Sequence, residues 1–302
     1  MFVIRSFFLL AILLLAACSS EPEQPPVAPA SGGKPALWVV TSNDSKGGTA
    51  WLFGTIHQLP PDTDWQGRVI DEAIRASDGL VIEVAGLDDT QAVSNVFADM
   101  GIRHGMPRLA DRVSPALRTE LSKAVAAASL PRHVLDNMET WAAALTLSSS
   151  MSVGLSLSQS AGVERVLEVR YSAEQKPVRS LETVEQQFGY FDGLPEAEQR
   201  AMLSAIIDDA EIRKDKYQKM LGAWISGDIE SLLEDAEQGI LASPLLRKKL
   251  VDDRNRAWAE AIAVMIDSKQ RPFVAVGAGH LVGETGVPEL LAARGYTVKR
   301  IQ

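Results

Sequence analysis

Cysteine is nearly absent, with one residue in 302, so the chain cannot close an internal disulfide. Histidine is scarce too, and with only four present the surroundings of each become informative. Positive charge is in deficit: 30 Lys and Arg face 39 Asp and Glu, a net charge of −9. That balance excludes a nucleic-acid binder, which relies on clustered cations facing phosphates. Aromatic residues make up 6% of the chain, and the six tryptophans are scattered, which assigns them to a core and not to a carbohydrate platform. Beyond the first 17 residues no stretch reaches about 18 uninterrupted apolar residues, so no later segment spans a bilayer. Gly-x-Ser-x-Gly and His-Glu-x-x-His are missing, as is a phosphate-binding loop with its Lys. An ordinary serine hydrolase, an ordinary zincin and a P-loop enzyme are thereby set aside.

What is present starts at the amino terminus. Residues 1–17 carry Arg5, then the apolar run 7–15, then small residues, which reads as a signal peptide. Leu15, Ala16, Ala17 and Cys18 resemble the bacterial lipobox, in which the cysteine is acylated and becomes the new amino terminus. Several acyl chains, with about 0.8 kcal/mol per buried methylene, make a stable anchor. Lipidation would also remove Cys18 from thiol chemistry. Ser19 follows where an inner-membrane lipoprotein would carry Asp, so the expected location is the outer membrane, facing the periplasm. Residues 18–36 are rich in Pro and small residues and read as a tether.

The folded domain is expected over 37–302, and 46% apolar content is enough to fill a sizeable core. Residues 37–41 and 49–55 are β-rich runs joined by Asn, Asp and Gly, a hairpin pattern. Further strands are expected at 79–84, 177–180, 272–276 and 296–301, with helices between them. Leu203, Ile206, Ile207, Tyr217, Leu221 and Trp224 repeat at helical spacing, which predicts one long helix from Pro195 to near Gly227. Residues 245–268 read as mostly helical. Strands at both ends with helices between predict an α/β fold. Its central sheet is built from the terminal segments, with a helical insert at about 90–260.

Two of the four histidines share a context. His57 ends Trp51-Leu-Phe-Gly-Thr-Ile-His57, and His280 ends Phe273-Val-Ala-Val-Gly-Ala-Gly-His280. Each is an apolar strand followed by Gly-x-x-His, and α/β proteins collect ligands at the carboxyl ends of strands. Gly54, Gly277 and Gly279 would let the backbone turn and approach a ligand closely. His104 and His133 lie among polar residues and read as surface groups. Glu83, inside Leu80-Val-Ile-Glu-Val84, is costly to bury unless it meets a cation, a metal or hydrogen-bond donors, or else it faces water on an edge strand. Glu182 ends the 177–180 strand region, where it is either a site residue or a helix-dipole partner beside Thr183. Glu185 and Gln186 follow one turn later, close enough to reach the same mouth.

Leu52-Phe-Gly-Thr-Ile-His57, Val81-Ile-Glu83, Ser180-Leu-Glu182-Thr-x-Glu-Gln186, Arg254-Asn255 and Val276-Gly-Ala-Gly-His-Leu-Val-Gly283 occur in this order. The set resembles the TraB/PrgY/GumN family, which includes the Tiki proteases acting on Wnt ligands, and the likeness runs from Leu37 to Ile301. The wider superfamily resembles erythromycin esterase and the haem-binding lipoprotein ChaN. The resemblance implies an α/β fold with site residues on the sheet and a helical bundle beside it. It also implies peptidase activity dependent on a divalent metal, held by His57, Glu83 and His280. Two imidazoles and a carboxylate suit zinc, manganese or cobalt better than calcium. Glu182 is then a candidate base or extra ligand. Arg254 is a candidate binder of a substrate carboxylate or oxyanion, or else an ion pair with Asp252 and Asp253. Asn255 would orient either. The expected partners are the membrane, through lipidated Cys18, and a peptide or protein substrate. The competing expectation is a non-catalytic envelope protein that binds peptide, haem or iron in the same pocket.

Overall fold

The computed structural model describes residues 32–43, 47–153, 155–208, 213–236 and 239–302. Residues 1–31, with Cys18 and most of the tether, lie outside the described residues. The strands are β1 Leu37–Thr41, β2 Thr49–Thr55, β3 Gly79–Val84, β4 Val178–Glu182, β5 Pro272–Gly277 and β6 Thr297–Arg300. The helices begin with α1 Arg68–Ala76, α2 Thr90–Gly101, α3 Arg118–Ala127, α4 Arg132–Asp136, α5 Thr140–Val153, α6 Val163–Ala173 and α7 Val184–Asp192. They continue with α8 Glu196–Asp208, α9 Arg213–Ser226, α10 Ile229–Ala236, α11 Pro244–Arg247, α12 Asp253–Asp267 and α13 Val287–Ala293.

All six strands form one sheet in the order β4-β3-β5-β2-β1-β6. β4, β3, β5 and β2 run parallel, while β1 pairs antiparallel with both β2 and β6. The sheet does unite the two ends of the chain, as expected for an α/β fold. β3 and β4 complete it, so the helical insert is interrupted by a strand that returns to the sheet.

Alternation along the strands supplies a core on each face. Leu37, Phe53, Ile82 and Phe273 meet α1, α6 and α9 through Ile74, Tyr171 and Trp224. Val40, Leu52, Val81 and Val274 meet α12 and α13 through Trp258, Ile262 and Leu291. A separate core, built around Trp141, Leu203, Ile207 and Leu250, holds the helical insert together. The apolar stripe read as one long helix therefore serves two cores. Leu203 and Ile207 on α8 pack in the insert, while Leu221 and Trp224 on α9 pack under the sheet. Residues 209–212 between them lie outside the described residues. Asp228 caps α10 by accepting from the Ser231 amide. The segment 245–268 is mostly helical, as expected, and includes a single turn of π-helix, Lys248–Asp252, between α11 and α12. Among the described residues no helix is long and apolar enough to cross a membrane.

Candidate functional site at the carboxyl ends of four strands

Four neighbouring parallel strands deliver the sequence-derived candidates to one rim. Thr55 pairs with Gly277, which sets the two Gly-x-x-His corners side by side. A side chain would be tight at both. A Cβ on Gly54 would lie 3.0 Å from the Ala278 backbone, and one on Gly277 would lie 3.1 Å from Glu83 Oε1. Gly279 sits in the short 3-10 turn Ala278–Leu281 that carries His280. β3 is an interior strand, so Glu83 is buried and does not face water. Its Oε1 accepts from the Gly277 amide at 2.7 Å.

Arg254 is the centre of the buried part. Its Nε and Nη2 donate to the two oxygens of Glu182 at 2.8 and 2.9 Å, and Nη2 also donates to Glu83 Oε2 at 2.8 Å. Nη1 donates to the Leu250 carbonyl at 3.1 Å and lies 3.4 Å from His280 Nε2. The guanidinium carbon lies over the Trp258 and Tyr190 rings, 4.6 and 5.5 Å from their centroids. All five donors of the guanidinium thus face acceptors of the protein itself. Glu182 is filled as well, because Trp258 Nε1 donates to Oε1 at 2.9 Å. Arg254 and Glu182, expected as substrate or oxyanion binder and as base, engage each other in a buried fork. The carbonyl of Leu250 reaches that fork from the π-helical turn, where such a turn re-aims the backbone.

The two histidines have different partners. Asn255 donates through Nδ2 to the carbonyls of Thr285 and His280, so its Oδ1 is the atom that faces His280 Nδ1 at 2.6 Å. His280 Nδ1 therefore carries the proton, and Nε2 is left with its lone pair. Burial is the main reason that the His280 pKa falls to about 4, and Arg254 and His57 push the same way against Glu83. His57, by contrast, has a side chain that is 69% exposed, and its Nδ1 sits 2.6 Å from Glu164 Oε1. The Glu164 charge is the main cause that raises His57 to about 9, against some desolvation. Burial would raise Glu83, but His280, His57, Arg254 and the Gly277 amide outweigh it and hold the carboxyl at about 2.

Glu164 was not singled out in the sequence. It lies in the first turn of α6, and α6 meets the His57 corner through the Val163 amide, which donates to the Ile56 carbonyl. Gly162 makes that approach possible, since a Cβ there would fall 2.0 Å from the His57 carbonyl oxygen. Thr55 Oγ1 donates to the same Glu164 oxygen. Gln187 is a second addition, reaching Glu83 Oε2 at 3.5 Å. Gln186, expected at the mouth with Glu185, instead closes a capping box with Thr183. His104 and His133 are exposed on the insert, as the sequence indicates.

A divalent metal can be weighed against this donor set. Each ring has Nδ1 held by a fixed oxygen, the arrangement that orients metal-binding imidazoles, and Glu83 stands 4.0 Å from His280 Nε2. Arg254 balances only one of Glu83 and Glu182, so the buried cluster keeps a negative charge that favours a cation. The donor types fit. Among the described residues, however, no three His, Cys, Asp or Glu side chains stand close enough together to surround one ion.

A mixed α/β sheet with paired Gly-x-x-His corners and a buried Glu between them defines the class of protein. The chain belongs to the TraB/PrgY/gumN family, which it matches over residues 36–300. It is similar to the uncharacterized protein YbaP of Escherichia coli (strain K12), 24% identical over 240 residues, covering 80% of this chain and 86% of the relative. The YbaP of Shigella flexneri matches to the same extent. No solved structure gives a significant match.

Proposed function

We propose that the chain is a lipid-anchored hydrolase of the bacterial envelope that cleaves peptide bonds with a divalent metal, for which His57, Glu83 and His280 would have to draw closer together than they stand here. The observation that carries this reading is the matched restraint of two imidazoles flanking a buried carboxylate. Glu164 holds Nδ1 of His57, and Asn255 holds Nδ1 of His280. The outward nitrogen of each ring would have to give up its present partner to hold an ion: His280 Nε2 faces Arg254 Nη1 at 3.4 Å, and His57 Nε2 must lose the proton that Glu164 favours. A bound divalent ion would supply a water activated near neutral pH and a Lewis acid for the scissile carbonyl.

The chain's own groups do the rest. Arg254 fixes the angle of Glu83 and holds Glu182 beneath it. His57, open to solvent at the rim, is placed to meet the substrate first. Gln187 keeps one Glu83 oxygen turned towards α7. Cys18 and the tether would keep this rim near a membrane surface, with the outer membrane facing the periplasm as the proposed site.

The test uses the full chain in detergent. Metal analysis is expected to find one Mn, Co or Zn ion per chain, and a fluorogenic peptide pool is expected to be cut in a chelator-sensitive way. Retention of full metal content by folded His57→Ala and His280→Ala variants would overturn the assignment. An uncut pool together with a Soret band on haem titration would assign the pocket to haem capture instead.

A further inference from the structure

β4 is an edge strand: among the described residues no strand pairs with its outer side, and it ends at the buried Glu182 of the site. The Leu80 amide donates to the Pro177 carbonyl, and Val178 and Ser180 pair with Leu80 and Ile82. In a parallel ladder of this register Arg179 and Leu181 bond inward to β3, so the amides and carbonyls of Val178, Ser180 and Glu182 point outward. Ser180 and Arg179 are exposed, and among the described residues nothing pairs with the outer side of Ser180.

The sheet's other edge is treated differently. β6 carries Lys299 and Arg300, and Arg300 folds back to donate to the Gly227 carbonyl. β4 has one cation, Arg179, which bonds Gln270 and leaves the edge unguarded. Open edges are sites for an added strand unless charge, proline or a bulge blocks them. None of these blocks Val178–Glu182.

One further feature lies on the line of such a strand. At its carboxyl end Glu182 is locked to Arg254, which also holds Glu83. The five residues of β4 span about 16 Å.

We propose that the substrate is an extended, unfolded stretch of polypeptide that adds to the β4 edge as a seventh strand. It would be recognised through its backbone, with its continuation delivered to the His57–Glu83–His280 rim. The inference rests on the peptide reading of that rim. Backbone pairing gives affinity with little demand on sequence.

Amide hydrogen exchange of the full chain in detergent, with a randomised twelve-residue peptide pool and chelator present, tests it without any cleavage. The Ser180 amide is expected to exchange at least tenfold more slowly with the pool than without it. Ser180→Pro removes the outward N–H while fixing φ at a value an edge strand tolerates, and is expected to weaken peptide binding at least tenfold, while Ser180→Ala, which keeps the N–H, stays within twofold. Unchanged Ser180 exchange overturns the proposal, even where the metal-loaded chain cuts the pool. Protection that grows with protein concentration and needs no peptide also overturns it, by naming a second copy as the occupant. Peptide-dependent protection in a chain that cuts nothing with metal upholds the docking edge and sinks the hydrolase reading.

Discussion

The two Gly-x-x-His corners begin from the same local pattern, lie in register on adjacent strands, and end in opposite environments. His280 is 11% exposed, packed 4.5 Å from Trp258, and held neutral with its proton on Nδ1. His57 is 69% exposed and paired with a carboxylate that favours its charged form. A motif therefore places an imidazole at a strand end but does not decide its charge. The helix that arrives from elsewhere decides it: α12 brings an amide to one ring, and α6 brings an acid to the other.

The largest expected effect comes from removing the support of the inner corner alone. Arg254→Ala leaves Glu83 and Glu182 buried without their cation, and breaking such a pair costs about 3–5 kcal/mol. Urea denaturation of the metal-free chain measures it, and a loss below about 1 kcal/mol would show that water replaces the guanidinium. Next, the corners should separate by deletion. His280→Ala is expected to cost about 1–3 kcal/mol through an unpaired Asn255, and His57→Ala under about 1 kcal/mol, as for an exposed residue. Equal losses would erase the distinction between inner and outer corner.

The pH dependence of stability should carry opposite signs at the two rings in the metal-free chain. His280 titrates near 4 when folded against 6.5 for a free imidazole, so the unfolded chain takes up a proton first. Its contribution is intact above pH 6.5 and is lost as pH falls towards 4, by roughly 3 kcal/mol at most. His57 is raised, so its contribution is intact below pH 6.5 and is lost as pH rises through about 9. Denaturation midpoints across pH are expected to lose their acid branch in His280→Gln and their alkaline branch in His57→Gln. The smallest effect is Glu164→Gln, which removes the charge that raises His57 and changes stability by about 1 kcal/mol or less. Nitrogen chemical shifts should then show the His57 titration moving down towards 6.5 while His280 stays neutral at pH 7. An unmoved His57 would mean that a group other than Glu164 holds its proton.

Much of this was legible in the residues because it is local. A strand followed by Gly-x-x-His announces itself within seven positions, and an acid flanked by Val81, Ile82 and Val84 signals a buried strand with a task. Glu164, Gln187 and Tyr190 do not announce themselves, because each sits on a helix whose angle to the sheet is set by distant packing. Gly162 was the available clue to Glu164, since a glycine at the start of a helix can mark a close approach. The stripe from Leu203 to Trp224 was legible only in part for a related reason. Helical spacing reports which side of a segment is apolar but not which of two cores it will join. The fork of Arg254 with Glu182 was hidden in the same way: Asp252 and Asp253 are nearer in sequence, yet the acid that reaches the guanidinium comes from β4.

The antiparallel β1 has a practical consequence. It starts opposite Phe53, near the carboxyl end of β2, and its first residue, Leu37, accepts hydrogen bonds from the Ile301 and Gln302 amides. The segment entering the fold and the last residue of the chain therefore leave from the same rim that carries His57. Whatever is joined to either end, whether a bead, a fused domain or a display scaffold, would stand in front of the mouth and cast a steric shadow over it. Presenting the site to a bulky substrate would call for attachment at the far end of the sheet, near Gln175, where the chain turns into β4.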